Sequence, residues 1–170
     1  MDKPKFDIEK IPALREMWRE SCKDKGYGLS SVLWIPYVED GEDTGYDGGS
    51  NGHIRSRHFI KPRELKETTI NTGYRQVKLR IKGKYKNMLV QRIIYQCFNG
   101  DLTDEDVIDH WDDCKTNNIP DNLRKEDHYT NNPDNKKKRI AGMSKLEVLK
   151  KKSELREKRL EQEYGDPAPF

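Results

Sequence analysis

The chain has 170 residues, 32% hydrophobic and 37% charged, with three cysteines and a formal net charge of +3. Ordinary domains are about 45–50% apolar, so a core cannot extend evenly through this length, and no apolar run approaches the about 20 residues of a membrane span. The first ten residues lack a signal-peptide core, and the odd cysteine count without a CxxC pair argues against a disulfide framework or a cysteine-rich zinc site, so a soluble cytoplasmic protein is expected.

The net charge conceals four blocks. Residues 1–50 sum to −4, 51–92 to +10, 101–134 to −8 and 136–159 to +8. Such runs read either as solvated faces or as phosphate-binding arms around an acidic, metal-dependent centre.

In chain order, Pro12 suits the first turn of a helix whose Leu14, Met17 and Trp18 share a face, and Gly26 and Gly28 end it. Residues 31–38, SVLWIPYV, read as a short apolar strand interrupted by Pro36, and 39–53, rich in Gly and Asp, as loop. Over 74–90, Val77, Leu79 and Ile81 alternate with Lys78, Arg80 and Lys82, the period of a strand with one buried and one basic face. Lys82-Gly83-Lys84 is the turn, and Tyr85 to Leu89 is the returning strand. Its basic face is either ordinary solvated surface or a ribbon that contacts phosphates.

Residues 89–98 read as a buried helix, with Leu89, Ile93 and Cys97 at helical spacing and Asn99-Gly100 as the stop. Cys97 reads as a small core residue. Ser144 to Glu147 is a capping-box match that opens a helix running to Tyr164. Its apolar positions are too sparse for a heptad, so it is expected to extend from the body.

The run 107–132, VIDHWDDCKTNNIPDNLRKEDHYTNN, carries the chemistry. A strand end holds His110 rigidly, and histidine is the side chain best suited to accept a proton near neutral pH. Asp109 projects to the opposite side of the backbone as a hard oxygen donor, and the amide oxygen of Asn131 is a candidate second ligand. Two oxygens with open positions suit Mg²⁺ or Mn²⁺. Trp111 reads as packing against the hairpin or stacking on a ligand. His53 and His58, among Arg55, Arg57 and Lys61, read as phosphate-side or plain surface residues.

Taken whole, the run resembles the HNH, or His-Me finger, endonucleases, and most of all their phage homing branch. The pattern is carried by Val107 or Ile108, Asp109, His110, Asp112, Lys115, Asn117, Asn118, Asn122, Leu123 and Asn131. Upstream, Gly73-Tyr74, Val77, Leu79, Gly83-Lys84, Val90, Arg92 and Phe98 resemble the segment that precedes the motif in such proteins. Tyr46, Gly52 and Ile54-Arg55-Ser56 partly resemble an associated DNA-binding motif. The chain departs from the pattern at Asp113 for the loop Gly, Gln91 for a His, and Pro133 after the Asn pair.

The resemblance implies an α+β fold: a small ββα-metal finger behind a basic hairpin and helix, flanked by helical N- and C-terminal arms. The expected division is an arm over 1–45, the hairpin and helix over 46–100, the finger over 101–139, and an extended basic helix over 140–170. It implies a phage-encoded DNA endonuclease in which His110 is the general base, Asn122 bridges the loop and orients it, and Asp109 and Asn131 hold one Mg²⁺ or Mn²⁺. Products would carry 5′-phosphate and 3′-hydroxyl ends. His128 is the alternative metal or phosphate contact. The expected partner is duplex DNA, met by Arg55, Arg57, Lys78, Arg80, Lys82, Lys84, Lys136, Lys137 and Lys138, with a homodimer on DNA left open and no membrane. Two other readings stay open: a non-catalytic DNA-binding protein that keeps the scaffold, and a small interaction protein whose C-terminal helix pairs with a partner.

Overall fold

The computed structural model describes residues 6–23, 32–126 and 145–164. The strands are β1 Trp34–Glu39, β2 Glu42–Gly49, β3 Ile54–Ser56, β4 Arg63–Glu64, β5 Thr68–Thr69, β6 Arg75–Ile81, β7 Lys84–Leu89, β8 Val107–His110 and β9 Leu123–Glu126. The helices are α1 Ile11–Lys23, α2 Val90–Asn99 and α3 Lys145–Tyr164. Pairing is antiparallel throughout, in the orders β1-β2-β3-β4, β5-β6-β7 and β8-β9. The result is a mixed α/β protein in which α2 touches all three sheets.

Helix α2 is the centre because its sequence is apolar on more than one side. Val90, Ile93, Ile94, Cys97 and Phe98 are all essentially inaccessible, while Leu89 serves as the N-cap rather than as a core position. Burial pushes the Cys97 thiol up to about 12, which leaves it an inert packing group. Gln91, at the position of the family histidine, is also buried.

The Gly- and Asp-rich stretch expected as loop is instead the strand β2. Its glycines permit a close approach rather than a turn. A Cβ on Gly48 would stand 2.9 Å from the Cys97 Sγ and 3.2 Å from the Ile94 Cδ1, so β2 lies flush on α2 only without one. Asp47 in the same strand is 1% exposed and accepts from Arg55 Nε at 2.8 Å and Arg57 Nε at 2.6 Å. Pro36 is accommodated in β1 because that strand is an edge, and the register shifts between Pro36 and Val38.

The basic hairpin forms as its alternation predicts. Val77, Leu79 and Ile81 are buried, Lys78 and Arg80 are exposed, and Lys82 and Gly83 turn the chain with φ of 50° and 77°.

The flanking helices dock rather than project. In α1, Ile11, Leu14 and Trp18 face the core while Met17 is 57% exposed, so Met17 does not belong to the apolar face. Trp18 meets Phe98 edge-on at 5.1 Å, and Arg15 donates to the Gln96 and Cys97 carbonyls, both at 2.8 Å. Those carbonyls end α2, where a cation complements the helix dipole. In α3, expected to stand off, Leu155 is buried, Lys152 reaches Asp113 at 2.6 Å and Arg159 reaches the Cys114 Sγ at 2.9 Å. Among the described residues no helix is long and apolar enough to cross a membrane.

Candidate active site

Strands β8 and β9 form a two-stranded ribbon with Asp109 opposite Arg124 and His110 opposite Leu123. Alternation therefore places Val107, Asp109, Arg124 and Glu126 on one face, and Ile108, His110 and Leu123 on the other. Arg92 in α2 anchors the approach to β8 by donating to the Thr103 and Asp106 carbonyls.

On the histidine face, His110 is 3% exposed. Its Nε2 lies 2.9 Å from the Asn118 Oδ1, and the Tyr74 ring stacks on it at 5.9 Å with an interplanar angle of 27°. With the Asn118 amide oxygen as the acceptor, this pairing calls for a proton on Nε2. Tyr74 comes from the segment before β6, which the finger loop holds through Lys115 Nζ donating to the Thr72 carbonyl at 2.9 Å.

The loop between the strands is fixed by its own polar side chains. Asp112 Oδ1 accepts from the Cys114 N–H and from Asn122 Nδ2, both at 2.8 Å, and its Oδ2 accepts from Asn117 Nδ2 at 2.7 Å. Asn122 Oδ1 takes the Asp112 N–H at 3.0 Å, and its Nδ2 also donates to the Asn117 carbonyl at 2.8 Å. Asp113, which departs from the Gly of the resembled pattern, sits at φ 60°, a region that Asp enters at lower cost than most residues. Asn122 thus spans the loop, and the side chain that bonds His110 is Asn118. The direct partner escaped sequence reasoning because Asn117 and Asn118 are chemically identical neighbours, and only the turn decides which faces the imidazole.

On the acidic face, Arg124 Nη2 and Nε lie 2.6 and 3.0 Å from the Asp109 Oδ2, and Nε is also 3.0 Å from the Glu126 Oε1. Burial lowers the Arg124 pKa, and the Asp109 carboxylate opposes that shift. The guanidinium lies 4.3 Å from the Trp111 ring centre, and Lys151 of α3 lies 4.2 Å from the same ring. Trp111 is therefore in contact with two cations of this chain. The Asp109 carboxylate is a hard oxygen donor of the kind Mg²⁺ or Mn²⁺ takes, although among the described residues no group of three or more His, Cys, Asp or Glu side chains is placed to hold a metal ion. Asn131, His128, Pro133 and Lys136, Lys137 and Lys138 lie outside the described residues, as does the segment that would complete a ββα unit.

The remaining basic candidates divide into two groups. Lys78 and Arg80 project from the hairpin with the exposed Tyr85 between them, at 4.9 and 5.9 Å from its ring centre, beside a groove of about 710 Å³. Lys84 is exposed, while Lys82 pairs with Asp40 at 3.0 Å and Glu42 at 3.9 Å. Arg55 and Arg57 instead hold the buried Asp47, and Arg57 also pairs with Asp43; both are positioned by internal carboxylates. His53 bonds Glu67 at 2.9 Å, and His58 meets Tyr46 edge-on at 4.8 Å.

Residues 88–125, from the end of β7 through α2 and the finger loop into β9, match the family model described as HNH endonuclease. A solved structure described as "DNA binding and cleavage by the HNH homing endonuclease I-HmuI" resembles the fold with a TM-score of 0.52 and 25% sequence identity. The likeness covers 69% of this chain and 66% of that one. No curated protein matches the sequence. The segment that matches the HNH endonuclease model contains the β8–β9 ribbon and the loop that orders it, and the mixed α/β fold around it is similar to that of an HNH homing endonuclease.

Proposed function

We propose that this protein is a divalent-metal-dependent DNA endonuclease of the phage homing type, acting in the host cytoplasm and leaving 5′-phosphate and 3′-hydroxyl ends. The observation that carries the reading is the His110–Asn118 contact at 2.9 Å in a loop locked by Asp112 and Asn122. That contact would hold the imidazole in one orientation, as general-base attack on a phosphodiester requires. Asp109 would hold the cation, Mg²⁺ or Mn²⁺, with Asn131 as the second protein oxygen. Bound there, the ion supplies Lewis-acid charge neutralisation at the scissile phosphate. Lys78, Arg80 and Lys84 would hold the phosphates of duplex DNA, with Lys136, Lys137 and Lys138 extending the track.

A second reading, a DNA-binding protein that retains the scaffold without cleaving, is favoured by the Arg124–Asp109 ion pair, which already neutralises the carboxylate. Incubating supercoiled plasmid with the protein and Mg²⁺ or Mn²⁺, beside His110→Ala, separates the two. Nicked or linear product from wild type alone supports the nuclease; retardation of the plasmid without cleavage by either protein supports the binder.

A further inference from the structure

Arg124 takes no part in the proposed cleavage beyond its hold on Asp109, yet its placement is specific. Asp109 and Arg124 are cross-strand partners, and Glu126 lies two residues further along the same face. One guanidinium therefore serves two carboxylates, each nearly buried, with side chains 11% and 5% exposed. Removing a buried carboxylate from water without a counter-charge is costly, so this cation stabilises the ribbon.

The same guanidinium occupies one oxygen of the carboxylate that the proposed metal would use. Both nitrogens converge on Asp109 Oδ2, the nearer at 2.6 Å. A Mg²⁺ ion sits about 2.1 Å from a carboxylate oxygen and does not tolerate a second full positive charge within hydrogen-bond distance of that atom. We infer that Arg124 is a built-in placeholder cation, holding the Asp109 carboxylate in the metal-free protein and yielding it when a divalent ion enters. This inference rests on the metal-dependent reading of Asp109 and adds an exchange step to it.

The surroundings suit such an exchange. The guanidinium packs over the Trp111 ring, so it can leave the carboxylate and keep an aromatic face beneath it. Lys151 over the same ring adds positive charge beside it. Glu126 keeps a carboxylate on the guanidinium side, so displacement from Asp109 does not leave the arginine without an anion. A purely structural arginine and a placeholder differ in sign. Loss of a structural arginine disorders the site and weakens metal binding, whereas loss of a placeholder removes a competitor and tightens it.

The test is Mn²⁺ binding by the full chain, read from the electron paramagnetic resonance of free Mn²⁺. Wild type, Arg124→Gln, Arg124→Lys and Asp109→Asn are compared, with thermal melts to establish folding. Arg124→Gln is expected to bind Mn²⁺ about tenfold more tightly than wild type, from removal of one nearby positive charge. Arg124→Lys should stay near wild type and Asp109→Asn should lose the site. Equal or weaker binding by folded Arg124→Gln, with Asp109 still required, overturns the placeholder alone. Absence of Asp109-dependent Mn²⁺ binding in every folded protein overturns the metal-dependent reading as well. Should Arg124→Gln not fold, the wild-type Arg124 Nε–H resonance decides, assigned by its loss in Arg124→Lys. Its displacement on Mg²⁺ addition supports the exchange, and an unmoved signal at saturating Mg²⁺ overturns it.

Discussion

Asn122 grips Asp112 from both ends, with its amide nitrogen on the carboxylate at 2.8 Å and its amide oxygen on the backbone N–H at 3.0 Å. Neither residue is more than 3% exposed, so the pair closes the finger loop from within. Asn122→Ala should cost about 3 kcal/mol in urea unfolding, because it leaves several buried groups unpaired. Asn122→Asp, although isosteric, should be no better, since it sets a second carboxylate against Asp112.

The imidazole depends on the amide next door. Asn118→Ala removes the acceptor for His110 Nε2–H and should lower kcat for plasmid cleavage by about 10–100-fold, in the range of misaligned general-base catalysis, with KM little changed. Asn118→Asp keeps an oxygen acceptor and should retain more activity than the alanine variant. Equal kcat in all three proteins would separate this hydrogen bond from the chemistry.

Gly52 bears on the same amide through the backbone. At φ 81°, a Cβ there would stand 2.7 Å from the Asn118 carbonyl carbon and 2.8 Å from the Ile119 nitrogen. Gly52→Ala should destabilise the protein by about 2–3 kcal/mol, combining strain at positive φ with overpacking against rigid backbone, and should lower cleavage at temperatures where the fold persists. Denaturant unfolding and plasmid nicking measured on one preparation check both effects.

The hairpin cations are not equivalent. Lys78→Glu with Arg80→Glu should flatten the dependence of DNA affinity on salt, by about one unit of log–log slope for each phosphate that is no longer neutralised. Lys82→Glu alone should change that slope less, because Lys82 is already paired with Asp40 and Glu42. Fluorescence anisotropy of a labelled duplex across a salt series distinguishes them.

His53 gives a pH signature of its own, through Glu67. The hydrogen bond to Glu67 raises its pKa, so its contribution to stability is complete below the unfolded value of about 6.5 and disappears as pH rises through the folded value. Wild type should therefore exceed His53→Gln by about 0.5 kcal/mol at pH 5.5, a figure reduced for solvent screening of a partly exposed pair, and by nothing at pH 8.5.

Local periodicity made the hairpin and α2 legible, because alternation and helical spacing report which side of an element is buried, while α3 was legible from its capping box but not in its docking. Strand β2 was illegible for a physical reason. Gly48 lies in it because a side chain would strike Cys97, and Asp47 because two arginines neutralise it, and neither cause is visible within the segment itself. Arg55 and Arg57 read as phosphate contacts for the converse reason: their carboxylate partners, Asp43 and Asp47, stand in a stretch that looked like loop. The candidate site was legible in its residue types, while its wiring was not. Asp109 faces Arg124 and His110 meets Asn118 only once the register of β8 on β9 and the course of the loop are set.

The proline and irregular register in β1 bear on how copies of this chain can meet. An exposed strand edge is a template for pairing with another molecule, and proteins blunt such edges with proline, bulges or shortness. Here one edge of the four-stranded sheet carries Pro36 and a register shift, and the other is the two-residue β4. Both features disfavour pairing of this sheet edge to edge with a second chain. If each finger severs one strand, cutting both takes two molecules or two successive events, which makes a nick the expected first product of the plasmid assay.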